Sequence, residues 1–306
     1  MHKPVLLEAV VQLLGVRAGG RYIDGTLGGG GHAQAILERA EPNGQLLGID
    51  RDADALARAA EALSVWGPRC MLERGDFADM STIAKQRGID RVDGVLLDLG
   101  MSSDQVDTPE RGFSFQQDGP LDMRMDRSQA TTAAGLVNHS TEQDLADLLW
   151  RLGEESAARR IAKRIVVERA REPIATTVRL ADIVARAKGT RGRIHPATKT
   201  FQALRMAVNH ELESLEKGLE AALDLVVPGG RVAVISFHSL EDRIVKQAFA
   251  LHVGHMESLQ AGGQEWVGMR PIARWVTRKL ITASQREIED NARARSAKLR
   301  VVERAE

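Results

Sequence analysis

The feature that most constrains this 306-residue chain is a run of four glycines, Gly28 to Gly31, between an apolar stretch and a helical one. The apolar stretch ends at Asp24, and residues 33–38 begin an amphipathic pattern, so the local order is strand, glycine turn, helix. Glycine can adopt positive φ and lie flat against a ligand, and a helix start offers unpaired backbone N–H groups. The turn is therefore predicted to be the floor of a nucleotide-type cofactor site. The alternative, a turn without a ligand, leaves the entropic cost of four glycines unexplained.

The spacing of the turn does not by itself choose the cofactor. The pattern Gly28-x-Gly30-x-x-Ala33, with an acidic residue at the distance of a ribose partner, satisfies the dinucleotide fingerprint. Asp24 at the strand end, followed by these glycines, instead resembles the Asp-x-Gly-x-Gly-x-Gly motif of S-adenosylmethionine methyltransferases. The chain departs from that motif at Thr26, where the first glycine is usual. The geometry of the turn therefore cannot be assumed from the motif.

Three further apolar stretches, residues 45–50, 69–74 and 92–98, are predicted to be strands, and they alternate with helical patterns. This alternation predicts a parallel, doubly wound sheet of the Rossmann-like α/β class. Ligands bind such sheets outside the carboxyl ends of the strands. The residues at those ends here are Asp24, Asp50, Asp76 with Phe77, and Asp98.

A polar cofactor with ribose hydroxyls, an ammonium group and a ring amine suits these carboxylates. Asp50 is the best ribose candidate because a carboxylate accepts from both hydroxyls. Phe77 is placed to lie against adenine, and Gln105, soon after Asp98, to reach the cofactor. Each aspartate taken singly has a second interpretation, the N-cap of the following helix.

The next convincing strand, residues 230–236, comes more than a hundred residues after the fourth, which is too far for a structureless loop. The intervening chain is rich in helical periodicity, so it is predicted to be an inserted all-α domain. The helical patterns cover residues 141–152, 154–172, 178–188 and 198–226. The predicted division assigns residues 1–110 and 205–306 to the sheet domain, which carries the methyltransferase-like glycine motif, and residues 111–204 to the inserted helical domain, the candidate substrate-binding domain. The loops of residues 100–107, 111–115 and 119–126 are interpreted as functional loops at the mouth of the cleft, or as a packed Ω-loop.

Positive charge is concentrated in two segments of a chain whose net charge is zero. Residues 151–206 hold 14 Lys/Arg against 5 Asp/Glu, and residues 270–304 hold 10 against 4. In the second segment, the alternating small and basic residues 291–300 predict a loop that leads into an edge strand along phosphate. Such blocks are either solvated helix faces or the footprint of a polyanion. The RNA-contact candidates are Arg191, Arg193, Lys199, Arg205, His238, Arg243, Arg293, Arg295 and Lys298. For His238 a core or capping role is an equal alternative. Aromatic residues make up only 4%, which argues against serial base stacking and favours phosphate contacts plus one flipped base.

Composition excludes several classes of protein. The chain is 43% hydrophobic and 27% charged, and no apolar run approaches membrane-spanning length. Cys70 is the only cysteine, so disulfides and multi-cysteine metal sites are excluded and no metal is expected. The first residues lack a signal-peptide core, which leads us to expect a cytoplasmic protein. The oligomeric state is left open, and a homodimer is compatible with the sequence.

Taken together, motifs along the whole chain resemble the family of small-subunit (16S) ribosomal RNA cytosine-N4 methyltransferases. The motifs that carry the resemblance are Asp24-Gly-Thr-Leu-Gly-Gly-Gly-Gly-His32, Gly48-Ile-Asp-Arg-Asp52, Leu97-Asp-Leu-Gly-Met-Ser-Ser103, Arg111-Gly-Phe-Ser-Phe115, Gly119-Pro-Leu-Asp-Met-Arg124, Thr200-Phe-Gln-Ala-Leu-Arg205 and Ile235-Ser-Phe-His-Ser-Leu-Glu-Asp-Arg243. One departure is Ala292, where the family usually has proline, and it puts the rigidity of the tail in doubt.

The resemblance implies a methyltransferase sheet with an inserted helical domain, which uses S-adenosylmethionine to methylate the exocyclic amine of a decoding-centre cytidine in 16S RNA. It implies a substrate presented within a small-subunit particle. The residues that it implies for cofactor contact are Gly30, Gly31, His32, Asp50, Phe77, Asp98 and Gln105. Asp98 is also the candidate catalytic residue. Three rival functions are a nicotinamide-dependent dehydrogenase, a small-molecule methyltransferase and a non-catalytic RNA-binding assembly factor.

Overall fold

The structure is a computed structural model that describes residues 4–189, 195–258, 263–267 and 271–305, without the side chains of residues 255–258, 264 and 265. The chain separates into two compact units. The first is formed by Met1–Gly100 and Leu212–Glu306, and the second by Met101–Glu211. The boundaries predicted from the sequence, residues 111 and 204, both fall inside the second unit, which also takes in the loop that leaves the fourth strand.

The described residues form thirteen α-helices and ten strands. The helices are α1 Leu7–Leu13, α2 Gly31–Arg39, α3 Ala53–Ala62, α4 Met80–Gln86, α5 Ser103–Asp107, α6 Ala133–His139, α7 Glu142–Gly153, α8 Ala158–Arg169, α9 Thr177–Lys188, α10 Thr198–Asn209, α11 Glu211–Leu225, α12 Ser239–Val253 and α13 Gln285–Asp290. The strands are β1 Arg21–Asp24, β2 Gln45–Asp50, β3 Cys70–Arg74, β4 Val92–Asp98, β5 Val226–Ser236, β6 His255–Ser258, β7 Gln264–Val267, β8 Ala273–Trp275, β9 Ile281–Thr282 and β10 Lys298–Arg304. No helix among these is long and apolar enough to cross a membrane.

The first unit is built on one twisted sheet in the order β3-β2-β1-β4-β5-β10-β8, with β9 also paired to β10. The first five strands in that order run parallel, and β10 runs antiparallel to β5. The order reverses at β1, so the carboxyl ends of β1 and its two neighbours meet at the switch point where doubly wound sheets bind ligands. The predicted Rossmann-like α/β class is confirmed.

Both faces of this sheet are covered, which explains the continuous apolar runs in its strands. Along β4 the side chains alternate: Val95 and Leu97 pack in one buried cluster with α4, α11 and α12, whereas Leu96 packs in the opposite cluster with α1, α2 and α3. This is the two-residue period of a strand. The central strands are therefore rigidly held, and the residues that follow them start from fixed positions.

The basic tail is not the edge strand that its alternating small and basic residues predicted. β10 lies inside the sheet, paired with β5 through Lys298 to Glu303 and with β8 through Val302 to Arg304. Its buried apolar residues, Leu299, Val301 and Val302, form part of the two sheet cores. The apolar alternation of β10 was not recognised because the strand begins inside the basic pattern of residues 291–300.

The second unit is a helical bundle with its own core. Helices α7 and α8, α8 and α9, and α7 and α10 pack against one another. The buried side chains come from these helices and from the loop before them, where Phe113, Leu121 and Met123 are buried. The loop of residues 111–126 is thus part of the packed unit.

The long helix predicted over residues 198–226 is two helices, because the chain breaks at His210. This residue has φ 51 and ψ 35, in the left-handed region, where it follows the last residue of α10. Helices usually end at a glycine in this conformation, and left-handed backbone is rare for any other residue. Because the break falls on a histidine, neither a glycine nor a proline marks it in the sequence. The buried Asn209 side chain accepts from the Met125 N–H (2.8 Å) and donates to the Met123 carbonyl (2.8 Å), which fixes the end of α10 to the loop of its own unit.

Candidate functional site

The glycine turn forms a cradle of backbone between β1 and α2, with Gly29 exposed at its tip. Gly28 has φ 52 and Gly30 has φ 80, so both adopt the left-handed conformation that glycine permits. Gly30 is the residue before the first helical turn of α2. A Cβ placed on Gly29 would meet no atom within 4 Å, so the tip of the turn lies against open space. These are the properties of backbone that a ligand can approach closely.

The departure from the glycine motif has a structural reason. A Cβ on Gly25 would lie 2.6 Å from Leu97 Cδ2, so the early glycine is needed where β1 and β4 pass each other. Thr26 then couples the two strands: its N–H donates to Asp24 Oδ1 (3.1 Å), and its hydroxyl oxygen accepts from the Asp98 N–H (2.6 Å). Thr26 was not predicted to matter. Its hydroxyl fixes the backbone of Asp98 relative to the turn.

Asp50 closes the turn from the end of β2. Its Oδ2 accepts from the Gly28 N–H (2.8 Å) and its Oδ1 from the Asp52 N–H (2.9 Å). Burial raises the pKa of Asp50, and these two hydrogen bonds act in the opposite direction. Each oxygen has a second lone pair, so the carboxylate can accept two further hydrogen bonds from a diol. The turn and the acid therefore form one preorganised unit.

Asp98 lies at the end of β4, with a quarter (25%) of its side chain exposed and His32 beside it. The His32 Nε2 is 3.0 Å from the Val5 carbonyl oxygen, which accepts only, so Nε2 carries the hydrogen and Nδ1 presents a lone pair. That Nδ1 is 3.6 Å from Asp98 Oδ2. Burial lowers the pKa of His32 to about 4, so the ring is neutral.

The Asp98 carboxyl is suited to a protonated or cation-bound state. Burial, followed by the neighbouring charges of Asp24 and Glu241, raises the pKa of Asp98 well above its usual range. Its Oδ1 is fully buried and has no hydrogen-bond partner among the described residues. A buried oxygen without a partner is costly, so a donor or a cation on a ligand would relieve it.

Asp24, at the end of β1, adds a third carboxyl group to this region. It is 1% exposed, and burial, with a contribution from the charge of Asp50, raises its pKa to about 7. Among the described residues, no group of three or more His, Cys, Asp or Glu side chains is arranged to hold a metal ion. Carboxyl groups whose pKa values are raised by burial and by neighbouring negative charge favour a cationic partner.

At the end of β3, Asp76 is already engaged within the protein. Its Oδ1 accepts from the Ala78 N–H (3.0 Å), and its Oδ2 accepts from Arg51 (2.7 Å) and the Ser214 hydroxyl (2.7 Å). Its N-cap role is the alternative that the sequence left open, and Arg51 and Ser214 were not predicted to take part. The next residue, Phe77, is 9% exposed and belongs to a sheet core.

The ring of Phe77 packs on α11. A Cβ on Gly218 would lie 2.4 Å from Phe77 Cδ2, so the glycine makes room for the ring. Most of the ring is used by this packing, and what it presents to a ligand is small. Its proposed contact with adenine stays a prediction.

At the end of β5, His238 forms the N-cap of α12 together with Glu241. The His238 Nδ1 accepts from the Glu241 N–H (3.3 Å), and Glu241 Oε2 accepts from the Phe237 N–H (2.8 Å). Glu241 is 2% exposed and lies close enough to raise the pKa of Asp98. The capping role is thus present through Nδ1, and the other ring nitrogen of His238, Nε2, lies 2.9 Å from Glu241 Oε1. Glu241 was not among the predicted site residues. The spacing His-x-x-Glu in the sequence could have identified it, since this is the spacing of a capping box.

Gln105 belongs to the second unit, near the start of α5. Its side-chain oxygen accepts from the Ser102 N–H (3.0 Å) while the Ser102 hydroxyl accepts from the Gln105 N–H (3.2 Å). This reciprocal pair is a capping box, and Gln105 is 4% exposed. Its predicted contact with the cofactor stays a prediction.

The basic candidates fall into distinct environments. Arg205 is 7% exposed and makes a two-pronged pair with Glu211 (2.8 Å for each hydrogen bond), which does not favour the predicted RNA contact. Lys199 is exposed, and its ammonium donates to the Glu154 carbonyl (2.8 Å). Arg191 and Arg193 lie outside the described residues.

The remaining cations lie in the first unit. Arg243 and Arg295 are exposed, and Arg293 is half-buried. Lys298 is half-buried, with its ammonium 3.5 Å from Asp242. Exposure alone does not decide between a solvated face and a contact with phosphate, so these assignments stay predictions.

Comparison with known proteins gives one family. A profile of the MraW methylase family matches residues 1–305. "Ribosomal RNA small subunit methyltransferase H" of Syntrophobacter fumaroxidans is 50% identical over 306 residues, which cover 99% of this chain and 96% of the relative. The protein of the same name from Pelobacter propionicus is 51% identical, over 99% of this chain and 98% of its own. The resemblance predicted from the motifs is confirmed.

A solved structure, a SAM-dependent O-methyltransferase from Thermotoga maritima, is 9% identical to this chain, with a TM-score of 0.42 over 100% of this chain and 68% of its own. A likeness this weak adds nothing to the fold assignment. That assignment rests on the order and direction of the strands in the sheet.

Proposed function

The chain belongs to the MraW methylase family, and on that premise we propose that it transfers a methyl group from S-adenosylmethionine to 16S ribosomal RNA. The proposed acceptor is the exocyclic N4 amine of a decoding-centre cytidine, presented within a small-subunit particle. The family supports methyl transfer, and the name shared by the relatives supports the RNA. The acceptor atom and the nucleotide come from the sequence resemblance.

One observation carries the cofactor proposal: a glycine cradle, a diol-accepting carboxylate and an unsatisfied buried carboxyl oxygen lie at one end of the sheet. Gly28 and Gly30 hold the cradle, and Asp50 would take the ribose hydroxyls. Asp98 Oδ1 lacks a partner and would accept from the ammonium group of the cofactor or from the target amine. When bound, S-adenosylmethionine supplies an electrophilic methyl group on a sulfonium centre. Gly31, His32 and Phe77 would complete the cofactor contacts.

The proposed acceptor sets a specific demand on the protein. The lone pair of the cytosine N4 amine is delocalised into the ring, so the amine is a poor nucleophile. The site must hold the amine with its lone pair aimed at the methyl group, mostly by positioning. A strong base is not required, because the methylated amine is cationic and acidic. Asp98, whose backbone is fixed by the Thr26 hydroxyl, is the group we assign to this positioning.

The test is methyl transfer to a defined acceptor. Small-subunit particles from cells that lack this protein would be incubated with labelled S-adenosylmethionine, and the modified base mapped by nuclease digestion and mass spectrometry. We expect a single N4-methylated cytidine in 16S RNA. Transfer to free nucleosides would favour a small-molecule methyltransferase. Binding to the particles without incorporation would favour an assembly factor, and tight binding of a nicotinamide dinucleotide would favour a dehydrogenase.

Asp98→Asn is expected to lower the rate of methyl transfer at least about tenfold, or about 1.4 kcal/mol in barrier height, while RNA affinity barely changes. The amide keeps the shape and one acceptor but loses the second acceptor and the charge. Single-turnover kinetics at saturating cofactor and RNA measures the step directly. Asp90→Asn, an exposed aspartate of the same unit, is the matched control. A near wild-type rate would reduce Asp98 to a structural carboxyl group.

RNA binding is proposed to depend on cations of the helical unit. Arg159 and Lys163 are exposed and lie one turn apart on α8, so they share a face of the helix. Arg159→Ala with Lys163→Ala should flatten the slope of log affinity against log salt by about 1.4 if each contacts one phosphate, at roughly 0.7 per contact. Cofactor affinity should not change. Lys85→Ala, at an exposed lysine of the first unit, is the control, and an unchanged slope in the double variant would mark α8 as a solvated face.

A further inference from the structure

A stack of three aromatic rings runs from the core of the helical unit to its surface. Phe201, on α10, is 4% exposed and meets Phe115 edge to face, with ring centroids 4.8 Å apart. Phe115 is half-buried and in turn stacks on His195, with centroids 4.5 Å apart and the ring planes tilted by 30°. His195 is exposed. The series therefore ends in an aromatic ring at the surface.

The outer ring is held in a fixed orientation. The His195 Nδ1 accepts from the Ala197 N–H (3.2 Å), and the His195 carbonyl accepts from the Thr198 N–H (3.1 Å). These bonds use one ring edge and the backbone, and Phe115 covers part of one ring face. A capping role for His195 explains the edge contact, but it does not need the stack with Phe115.

The loop that carries Phe115 is equally constrained. A Cβ on Gly112 would lie 2.2 Å from the Pro120 carbonyl oxygen, so the loop crosses itself closely. The Met123 N–H donates to the Arg111 carbonyl (3.0 Å), and the Arg111 guanidinium donates to the Met125 carbonyl (3.1 Å). A ring on such a loop loses little conformational freedom when a ligand stacks on the assembly.

Positive charge accompanies the stack. Lys199 is exposed in the first turn of α10, four residues after His195, and its ammonium donates to the Glu154 carbonyl (2.8 Å). The backbone carbonyl fixes this cation without neutralising it. An aromatic face with a fixed cation one helical turn along the chain is a combination that binds an unpaired nucleotide, with the base stacked and the phosphate near the charge.

We propose that the exposed face of His195, supported by Phe115, is a platform on which one unpaired base of the RNA substrate stacks. The proposal rests on the proposed function, since it takes RNA to be the substrate. It adds a contact with a base that is not the methyl acceptor and that the scarcity of aromatic residues did not predict. Stacking is tolerant of sequence, so the platform contributes affinity and placement and does not read the base.

Two substitutions at His195 distinguish its stacking role from its hydrogen bond with the Ala197 N–H. His195→Asn keeps a side-chain acceptor for the Ala197 N–H but removes the aromatic face. We expect it to weaken binding of in vitro transcribed 16S RNA by about 5- to 150-fold, the range for loss of one stacked base. His195→Tyr removes the ring nitrogen but keeps the face, and should bind within about threefold of wild type. His139→Asn, at another exposed histidine of this unit, is the matched control and should have no effect.

Salt dependence distinguishes stacking from a contact with phosphate. His195→Asn should lower the affinity at every salt concentration and leave the slope of log affinity against log salt unchanged, whereas Lys199→Ala should flatten it by roughly 0.7. The proposal is overturned if His195→Tyr is as weak as His195→Asn, if the slope of His195→Asn falls, or if His195→Asn binds like wild type. If His195→Asn binds RNA like wild type and the wild-type protein methylates 16S RNA, only the proposed platform is wrong and the proposed function stands. Absence of both RNA binding and incorporation in the wild-type protein overturns the proposed function itself.

Discussion

Asp50→Ala is expected to weaken the binding of S-adenosylmethionine about 30- to 150-fold, the equivalent of roughly 2–3 kcal/mol. Each Asp50 oxygen already accepts one backbone N–H, from Gly28 and from Asp52. The remaining lone pairs face the two ribose hydroxyls in the proposed complex, and their loss leaves both hydroxyls without an acceptor. Isothermal titration calorimetry on the folded variant measures the change.

Because the same carboxylate holds the glycine turn, a weaker affinity has two explanations, and a ligand analogue separates them. Wild type should bind 2′,3′-dideoxy-S-adenosylhomocysteine more weakly than S-adenosylhomocysteine, whereas Asp50→Ala should bind the two alike. If Asp50→Ala discriminates as wild type does, the carboxylate supports only the turn. Asp90→Ala, an exposed acid of the same unit, controls for the change in net charge. An unchanged affinity in a folded Asp50→Ala protein contradicts the ribose assignment.

The sequence predicted the parallel sheet well because its strands are buried on both faces. Strands β2 and β4 were predicted to the residue, as 45–50 and 92–98, because each contains a short apolar core, residues 46–49 and 94–97, with a polar residue on either side. β10 was misread because a basic stretch precedes its apolar alternation. The break at His210 was missed because nothing local demands it: the buried Asn209 fixes the end of α10 through contacts with residues 84 and 86 positions away. Long-range contacts of this kind leave no mark in a local pattern.

In the candidate site, too, the features that follow from local pattern and topology were predicted, and those that depend on long-range contacts were not. The aspartates at the strand ends were identifiable because the topology of a parallel sheet fixes where they meet. Their protonation was not, because the pKa values of Asp24 and Asp98 are raised by burial and by neighbouring charges, that of Asp50 for Asp24 and those of Asp24 and Glu241 for Asp98. Thr26 had no signal beyond its departure from a motif, and its hydrogen bond to the Asp98 backbone joins strands 72 positions apart. The stack of His195 on Phe115 likewise joins two segments that the sequence keeps apart.

Asp24→Asn is expected to stabilise the cofactor-free protein at pH 8 by up to about 4 kcal/mol and to have much less effect below pH 4. Burial raises the pKa of Asp24 to about 7, whereas an aspartate in the unfolded chain titrates near 3.9. The folded state therefore holds the proton more tightly. Wild-type stability from this group is fully present below about pH 4 and is lost as the pH rises through about 7. Asparagine does not titrate, and its oxygen can still accept from the Thr26 N–H, so the variant keeps the hydrogen bond and avoids the buried charge.

Urea unfolding of wild type and Asp24→Asn at pH 4, 6 and 8 tests this, with Asp90→Asn, at an exposed aspartate of the same unit, as the matched control. The gap between wild type and Asp24→Asn should open between pH 4 and 7, and a constant gap would show that Asp24 is not the buried proton-binding group. Because the ionised Asp24 lowers the stability of the folded protein at neutral pH, folding does not explain the presence of this carboxyl group. Saturating S-adenosylmethionine should therefore stabilise wild type more than the variant at pH 8, because a cationic ligand relieves the buried negative charge of Asp24 and has none to relieve in its amide.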